Sequence, residues 1–146
     1  MLQATIRHAG EYSFLARSNS RHWVVMDGSE KIGAEDGAAR PKEMLLFALG
    51  GCSAFDVKMV LDKRRVTPEW FEVAMSADES QTHPMVLTRV RMEYRFRGDI
   101  PVRDIERAVN LSFDKYCAVS AMLRQVVPIE WKAILNGEEV LEGSTE

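Results

Sequence analysis

The sequence predicts one α+β domain over residues 1–146, and three observations carry that prediction. Residues 86–97 alternate apolar and charged side chains with a period of two. Residues 42–65 carry apolar side chains at spacings of three and four. Strand-like and helix-like segments come in blocks (strands, a long helix, strands, paired helices, a strand) instead of the strict alternation of a parallel βαβ fold. A chain of 146 residues buries enough surface to fold without a disulfide or metal staple.

In chain order, residues 3–8, 12–17 and 22–26 are short β-prone runs separated by Ala9-Gly10 and Ser18-Asn19-Ser20, which predicts an antiparallel meander. Residues 27–40, rich in Gly, Ala, Ser and charge, read as a long surface loop of the functional or mobile kind. Pro41 stands where the first helical position favours proline. From there Leu45, Ala48, Cys52, Phe55 and Met59 share one helical face, and Leu46, Leu49 and Val60 widen it. A helix apolar over most of its circumference wants burial on several sides, in the centre of the fold or against a second subunit.

Residues 70–78 and 86–97 read as a hairpin. In the second run Val90, Met92, Tyr94 and Phe96 point one way and Arg89, Arg91, Glu93 and Arg95 the other, so one sheet face is buried and one is wet. Asp99-Ile100-Pro101 opens a helix with Ile105, Ala108, Val109 and Ser112 on one side, and a further helix is expected over residues 114–126, ahead of Pro128. Residues 129–135 form the last predicted strand, Asn136-Gly137 a turn, and the acidic tail from Glu138 is expected to fray or lie along an edge.

Composition excludes several function classes. The net charge of −3 and the absence of a basic tract argue against nucleic acid or an anionic membrane as partner. The apolar run from Met44 to Leu49 is too short to cross a bilayer, and the opening residues lack the basic and apolar regions of a secretory signal. Two widely separated cysteines are no secreted disulfide framework, so the expected compartment is the cytoplasm. His8, His22 and His83 are scattered without ligand spacing, Ser53 and Ser120 lack a nucleophile elbow, and no phosphate loop exists. No metal or cofactor is therefore expected. Trp23, Trp70 and Trp131 lie in predicted strands and read as core or interface residues.

That leaves Cys52 and Cys117. Gly50-Gly51 precedes Cys52 within a strong helical pattern, and each glycine costs about 0.5–1 kcal/mol there relative to alanine. Close approach of another backbone or a ligand is the usual compensation, which makes Cys52 accessible to a neighbour. Cys117, at the predicted start of a helix and beside Lys115, is placed where unpaired amides stabilise a thiolate. The plainer reading of either cysteine is a small buried hydrophobe.

The segment from Pro41 to Ala54, reading PKEMLLFALGGCSA, resembles the helix signature of the OsmC/Ohr family, typically Pro-x-Glu-Leu-Leu-Leu-x-Ala-Leu-Gly-x-Cys. Lys115-Tyr116-Cys117-Ala118-Val119-Ser120 resembles that family's second cysteine motif, and Met26-Asp27-Gly28 also fits. The resemblance spans nearly the whole chain and is closest to the YhfA-like branch. It implies an α+β fold with antiparallel sheets around a long central helix, in an intertwined homodimer with active sites at the interface. It also implies thiol peroxidase chemistry on organic hydroperoxides or hydrogen peroxide, with Cys52 attacking, Cys117 resolving, and a dithiol reductant closing the cycle. The family's catalytic glutamate directly follows the proline. Here that position is Lys42, and the carboxylate is Glu43, alternatively an ordinary acid of a helix first turn. At about 100° per residue, Glu43 lies about 180° around an ideal helix from Cys52, so reaching a thiol requires an unwound first turn or service to the partner subunit. Arg17, Arg21 and Arg40 are the candidates for the family's activating arginine. A different class, a non-catalytic protein holding a small apolar ligand at the dimer interface, is the alternative that the Lys42/Glu43 shift motivates.

Overall fold

A computed structural model describes residues 1–145, and the chain forms two compact units, residues 1–45 and residues 46 onward. The first unit is the expected meander. Strands β1 (Ala4–Gly10), β2 (Ser13–Ser18) and β3 (Trp23–Met26) pair antiparallel in the order β1-β2-β3, with Ile6 opposite Ala16 and Phe14 opposite Met26. The β1–β2 turn uses Gly10 at φ 121° and Glu11 at φ 45°, which is why a glycine closes the first strand.

The loop that follows β3 is built more firmly than its composition suggests. Asp27 is buried, and its carboxylate accepts from the Gly28 amide at 2.7 Å and the Gly37 amide at 2.9 Å. Its own amide donates to Ala39 O at 3.2 Å, so one residue ties both ends of the loop. The Gly37 and then the Gly28 hydrogen bond hold this carboxyl below the usual aspartate range. The loop ends where helix α1 (Pro41–Lys63) begins. Pro41 takes the first helical position, and Glu43 Oε2 accepts from the Arg40 amide at 2.8 Å, one half of a capping box.

The second unit holds the rest of α1 with β4 (Trp70–Glu79), β5 (Leu87–Arg97), α2 (Val102–Leu111), α3 (Ala118–Leu123), β6 (Ile129–Leu135) and β7 (Glu138–Ser144), the sheet running β4-β5-β6-β7. The β4–β5 hairpin and the β6–β7 pair are antiparallel, but β5 and β6 run parallel, from Val90 opposite Ile129 to Phe96 opposite Leu135. The expected α+β fold is realised, and its larger sheet is mixed, with one parallel pair among antiparallel ones. The physical reason is the long helical crossover through α2 and α3, which returns the chain to the same end of the sheet. The tail does not fray: Asn136 at φ 53° and Gly137 at φ 92° turn it back as β7 on the sheet edge.

The alternation read in β5 is realised. Val90, Met92, Tyr94 and Phe96 are buried, while Arg91 pairs with Asp78 at 2.7 Å, Arg95 with Glu72 at 2.9 Å and Glu93 at 2.6 Å, and Arg89 with Glu130. The arginines belong to a solvated, ion-paired face. Leu49, Val57, Val60 and Leu61 of α1 join the β5 residues, Ile105, Ala108 and Val109 of α2, and Trp131 of β6 in one core. Each fully buried large aliphatic side chain contributes about 1.5–3 kcal/mol. Trp70 is not part of that core and is half-exposed under Arg97; in the first unit Trp23 is half-exposed under Arg17.

The other side of α1 is also apolar and is exposed: Phe47 is 59% and Phe55 82% accessible. Among the described residues α1 is the one helix long and apolar enough to span a bilayer, and its Leu49–Leu61 face is packed into this core instead.

Candidate functional site

Cys52 stands at the middle of α1, and the helix runs unbroken through the double glycine. A Cβ on Gly50 would come within 3.1 Å of Met75 Cγ and Sδ, so the close approach that offsets the first glycine is the β4 side chain of Met75. Nothing lies within 4 Å of the place where a Cβ on Gly51 would sit. One residue on, Ser53 faces the core, and one helical turn beyond Cys52, at the i+4 position, is Asp56.

Cys117 is delivered by the crossover. After α2 the chain widens into a π-helical turn, Ser112–Tyr116, and then breaks: Cys117 has φ −73° and ψ 96° and is the N-cap of α3. The helix expected over residues 114–126 therefore starts at Ala118, because Cys117 is extended and its amide donates back to Ser112 O at 2.8 Å. π-Helical turns of this kind concentrate at functional sites. Cys117 Sγ accepts from the Ser120 amide at 3.3 Å.

These elements bring together Cys52 Sγ, Cys117 Sγ and an Asp56 carboxylate oxygen, all within 4.8 Å of one another. Both cysteines are free thiols, Cys52 half-buried and Cys117 buried. The thiolate-stabilising setting expected for Cys117 is not what the fold provides. Burial pushes the Cys117 thiol up to about 12, with Cys52 and Asp56 adding to the rise and the Ser120 amide opposing it. Lys115 turns its ammonium over the Tyr116 ring, 5.5 Å from the centroid. Burial likewise raises Asp56, against the hydrogen bond from Ser112.

Behind Asp56 runs a buried hydroxyl chain. Ser112 Oγ donates to Asp56 Oδ2 at 3.2 Å, Ser53 Oγ lies 2.8 Å from Ser112 Oγ, and Tyr94 Oη lies 2.6 Å from Ser53 Oγ. One hydroxyl has one proton. With the carboxylate ionised, Ser112 spends its proton on Asp56, Ser53 spends its own on Ser112, and Tyr94 donates to Ser53. Burial raises the Tyr94 phenol far above its ordinary range, which keeps it a donor. Neither Ser53 nor Asp56 stands in a recognisable catalytic motif in the sequence. The one available signal was the i,i+4 spacing from Cys52.

The remaining predicted site residues lie in the first unit. Glu43 caps the start of α1 as described, the ordinary first-turn role. Arg40 forms a forked pair with Asp36, both nitrogen–oxygen contacts of its Nη2 at 2.7 Å. Arg17 lies over Trp23, 5.3 Å from the ring centroid, and Arg21 holds a left-handed turn at φ 65°. Two thiols and a carboxylate at this separation are also a donor set able to hold a soft cation, assembled without the histidines and without a local ligand motif.

A mixed sheet, a long two-faced helix and a converging thiol pair define an α+β protein with a dithiol site. The chain belongs to the OsmC-like protein family, whose pattern matches residues 33–132. It is 36% identical over 129 residues to the protein YhfA of Escherichia coli K12, covering 88% of this chain and 93% of that one. A hypothetical protein from Aquifex aeolicus VF5 superposes with a TM-score of 0.78 at 23% identity, over 93% and 98% of the two chains. An organic hydroperoxide resistance protein OsmC from Legionella pneumophila superposes with a TM-score of 0.68 at 15% identity, over 92% and 96%. At those identities the two structures speak for the fold alone. The family includes hydroperoxide resistance proteins.

Proposed function

We propose that this protein is a cytoplasmic thiol peroxidase that reduces organic hydroperoxides or hydrogen peroxide, each chain folding as one OsmC-like domain of a homodimer. The observation that carries the reading is the approach of Cys52 Sγ and Cys117 Sγ to within 4.8 Å in a member of this family. Half-buried Cys52 is the attacking sulfur. Its thiolate takes the terminal oxygen of ROOH, the O–O bond breaks, and ROH leaves with one proton, giving Cys52 sulfenic acid. Cys117, held as a thiol by burial, then attacks the sulfenic sulfur. The disulfide forms, water leaves, and a dithiol reductant restores both thiols while itself becoming a disulfide. Glu43 assists across the dimer interface in this reading, and exposed Phe47 and Phe55 contribute to that interface.

The test is direct. Reduced protein receives one equivalent of an organic hydroperoxide, and free thiols and intact mass are followed over seconds. Loss of both thiols with a mass decrease of two hydrogens and a Cys52–Cys117 crosslink supports the cycle. Thiols that survive the peroxide sink it.

A second reading is favoured by one observation. Ile6, Tyr12, Phe14, Met26, Ile32 and Pro41 line a groove of about 400 Å³ that is almost wholly apolar. It suits a small apolar ligand in a protein that has given up turnover. Native mass spectrometry of the purified protein, with and without a fatty acid, decides whether such a ligand is held.

A further inference from the structure

The Cys52–Asp56–Cys117 cluster has a property that peroxide chemistry does not use. Its three groups all become anionic on losing a proton. The charge that complements such an arrangement is positive, and its donor atoms are two sulfurs and one oxygen.

We propose that Cys52, Cys117 and Asp56 form a binding site for a thiophilic divalent cation of the zinc class, with the fourth position left to water or a small thiol. In tetrahedral zinc sites Zn–S is about 2.3 Å and Zn–O about 2.0–2.2 Å, so neighbouring ligand atoms stand about 3.5–4 Å apart. The three donors already lie within 4.8 Å of one another, so small side-chain adjustments, on the order of an ångström, close the site. Cys52 and Asp56 lie on one face of α1 at i and i+4, a rigid baseline, and Cys117 arrives from the crossover.

The ligands also have supports. Ser112 Oγ donates to the Asp56 carboxylate at 3.2 Å and is itself held by Ser53 and Tyr94. The Ser120 amide donates to Cys117 Sγ at 3.3 Å. Outer hydrogen bonds of this kind orient metal ligands and account for about 10–100-fold in metal affinity. Ser120 Oγ is, among the described residues, a fully buried hydroxyl without a hydrogen-bond partner, and it belongs to the residue whose amide already touches the sulfur. A buried hydroxyl left unpaired needs a reason, and here it leaves a donor unspent in the residue next to the sulfur.

Binding displaces the two thiol protons, so it releases about two protons per metal and tightens as pH rises. It also excludes disulfide formation, because both events use the same sulfur electron pairs. The site does not depend on peroxidase activity: a protein that consumes no peroxide can still bind the metal.

The experiment uses the full chain, reduced and anaerobic, titrated with cobalt(II) and followed by absorption. The expected result is one cobalt per chain, an intense thiolate-to-cobalt charge-transfer band, and loss of that band on adding zinc. Cys52→Ser and Cys117→Ser each lower the affinity at least 100-fold, Asp56→Asn lowers it at least 10-fold, and Ser112→Ala lowers it about 10–100-fold. Circular dichroism confirms that each variant is folded, and the near-isosteric Asp56→Asn stands in where a cysteine variant is not. Absence of the charge-transfer band overturns the proposal. So does full affinity in Cys117→Ser, which would reduce the site to one thiol, or full affinity in Asp56→Asn, which would remove the third ligand.

Discussion

Replacing Ser53 with alanine tests the direction of the buried hydroxyl chain. Ser53, Ser112 and Tyr94 are each fully buried, so nothing lost here is replaced by water. In Ser53→Ala, Ser112 keeps Asp56 as its acceptor at 3.2 Å. Tyr94 Oη is left with the weak Met92 Sδ contact at 3.9 Å. One buried hydroxyl stranded in this way costs about 1–3 kcal/mol. Tyr94→Phe alone should cost less, about 0.5–1.5 kcal/mol, because Ser53 retains Ser112 as acceptor. The double variant strands nothing new, so its cost should fall short of the sum by about 1 kcal/mol. Urea unfolding of the reduced protein, all variants at one protomer concentration, measures the cycle. In a chain of this length each kcal/mol moves Tm by about 2–4 °C, a second readout. Costs that add to within about 0.5 kcal/mol would refute the chain, since residues sharing a hydrogen-bond network do not add.

Three further outcomes follow from the same geometry. Gly51→Ala should stabilise the protein by about 0.4–1 kcal/mol, since the added Cβ meets nothing within 4 Å, whereas Gly50→Ala must displace Met75 and should gain less or lose; equal shifts in urea midpoint would contradict this. Iodoacetamide at neutral pH should label Cys52 well before Cys117, which is buried and whose thiol is pushed up to about 12; peptide mapping that finds equal rates would be the contrary result. Glu93 is held below its ordinary value of 4.5, first by Arg95 and then by Lys132. A carboxylate depressed in the folded state adds stability above its unfolded value that is lost as pH falls through the folded one. Stability should therefore decline below about pH 4.5, and Glu93→Gln should flatten that decline; an unchanged acid limb would remove Glu93 from the account.

Elements governed by local pattern were legible in the sequence. The alternation from Val90 to Phe96 shows in the residue order, as does the capped start of α1 at Pro41, and β6 falls on the predicted 129–135. What escaped depends on long-range packing. Parallel pairing of β5 with β6 leaves no mark in either strand, because register is set by where the crossover lands. The break at Cys117 is one extended residue inside a helix-prone stretch, stabilised by its amide's bond to Ser112 O and by its sulfur accepting from the Ser120 amide, partners that its place in the sequence does not announce. Of the site, the two cysteines are readable in the sequence, whereas Asp56 carries only its i,i+4 spacing from Cys52. Ser112 shares one side of its predicted helix with Ile105, Ala108 and Val109, but its partners Ser53 and, through it, Tyr94 come from elements far away in sequence.

The crossover that makes the sheet mixed also has an electrical consequence. Cys117 rides on it and Cys52 on α1, so a bond between their sulfurs would close a loop of about 65 residues, and closing such a loop removes about 4 kcal/mol of unfolded-chain entropy. By linkage, the folded chain favours the oxidised pair by that amount over the same two thiols in an unfolded chain. The preference corresponds to a reduction potential about 90 mV more negative, less whatever is spent in drawing the sulfurs together from their resting separation. The route the backbone takes between two strands thus helps decide how hard an electron donor must push.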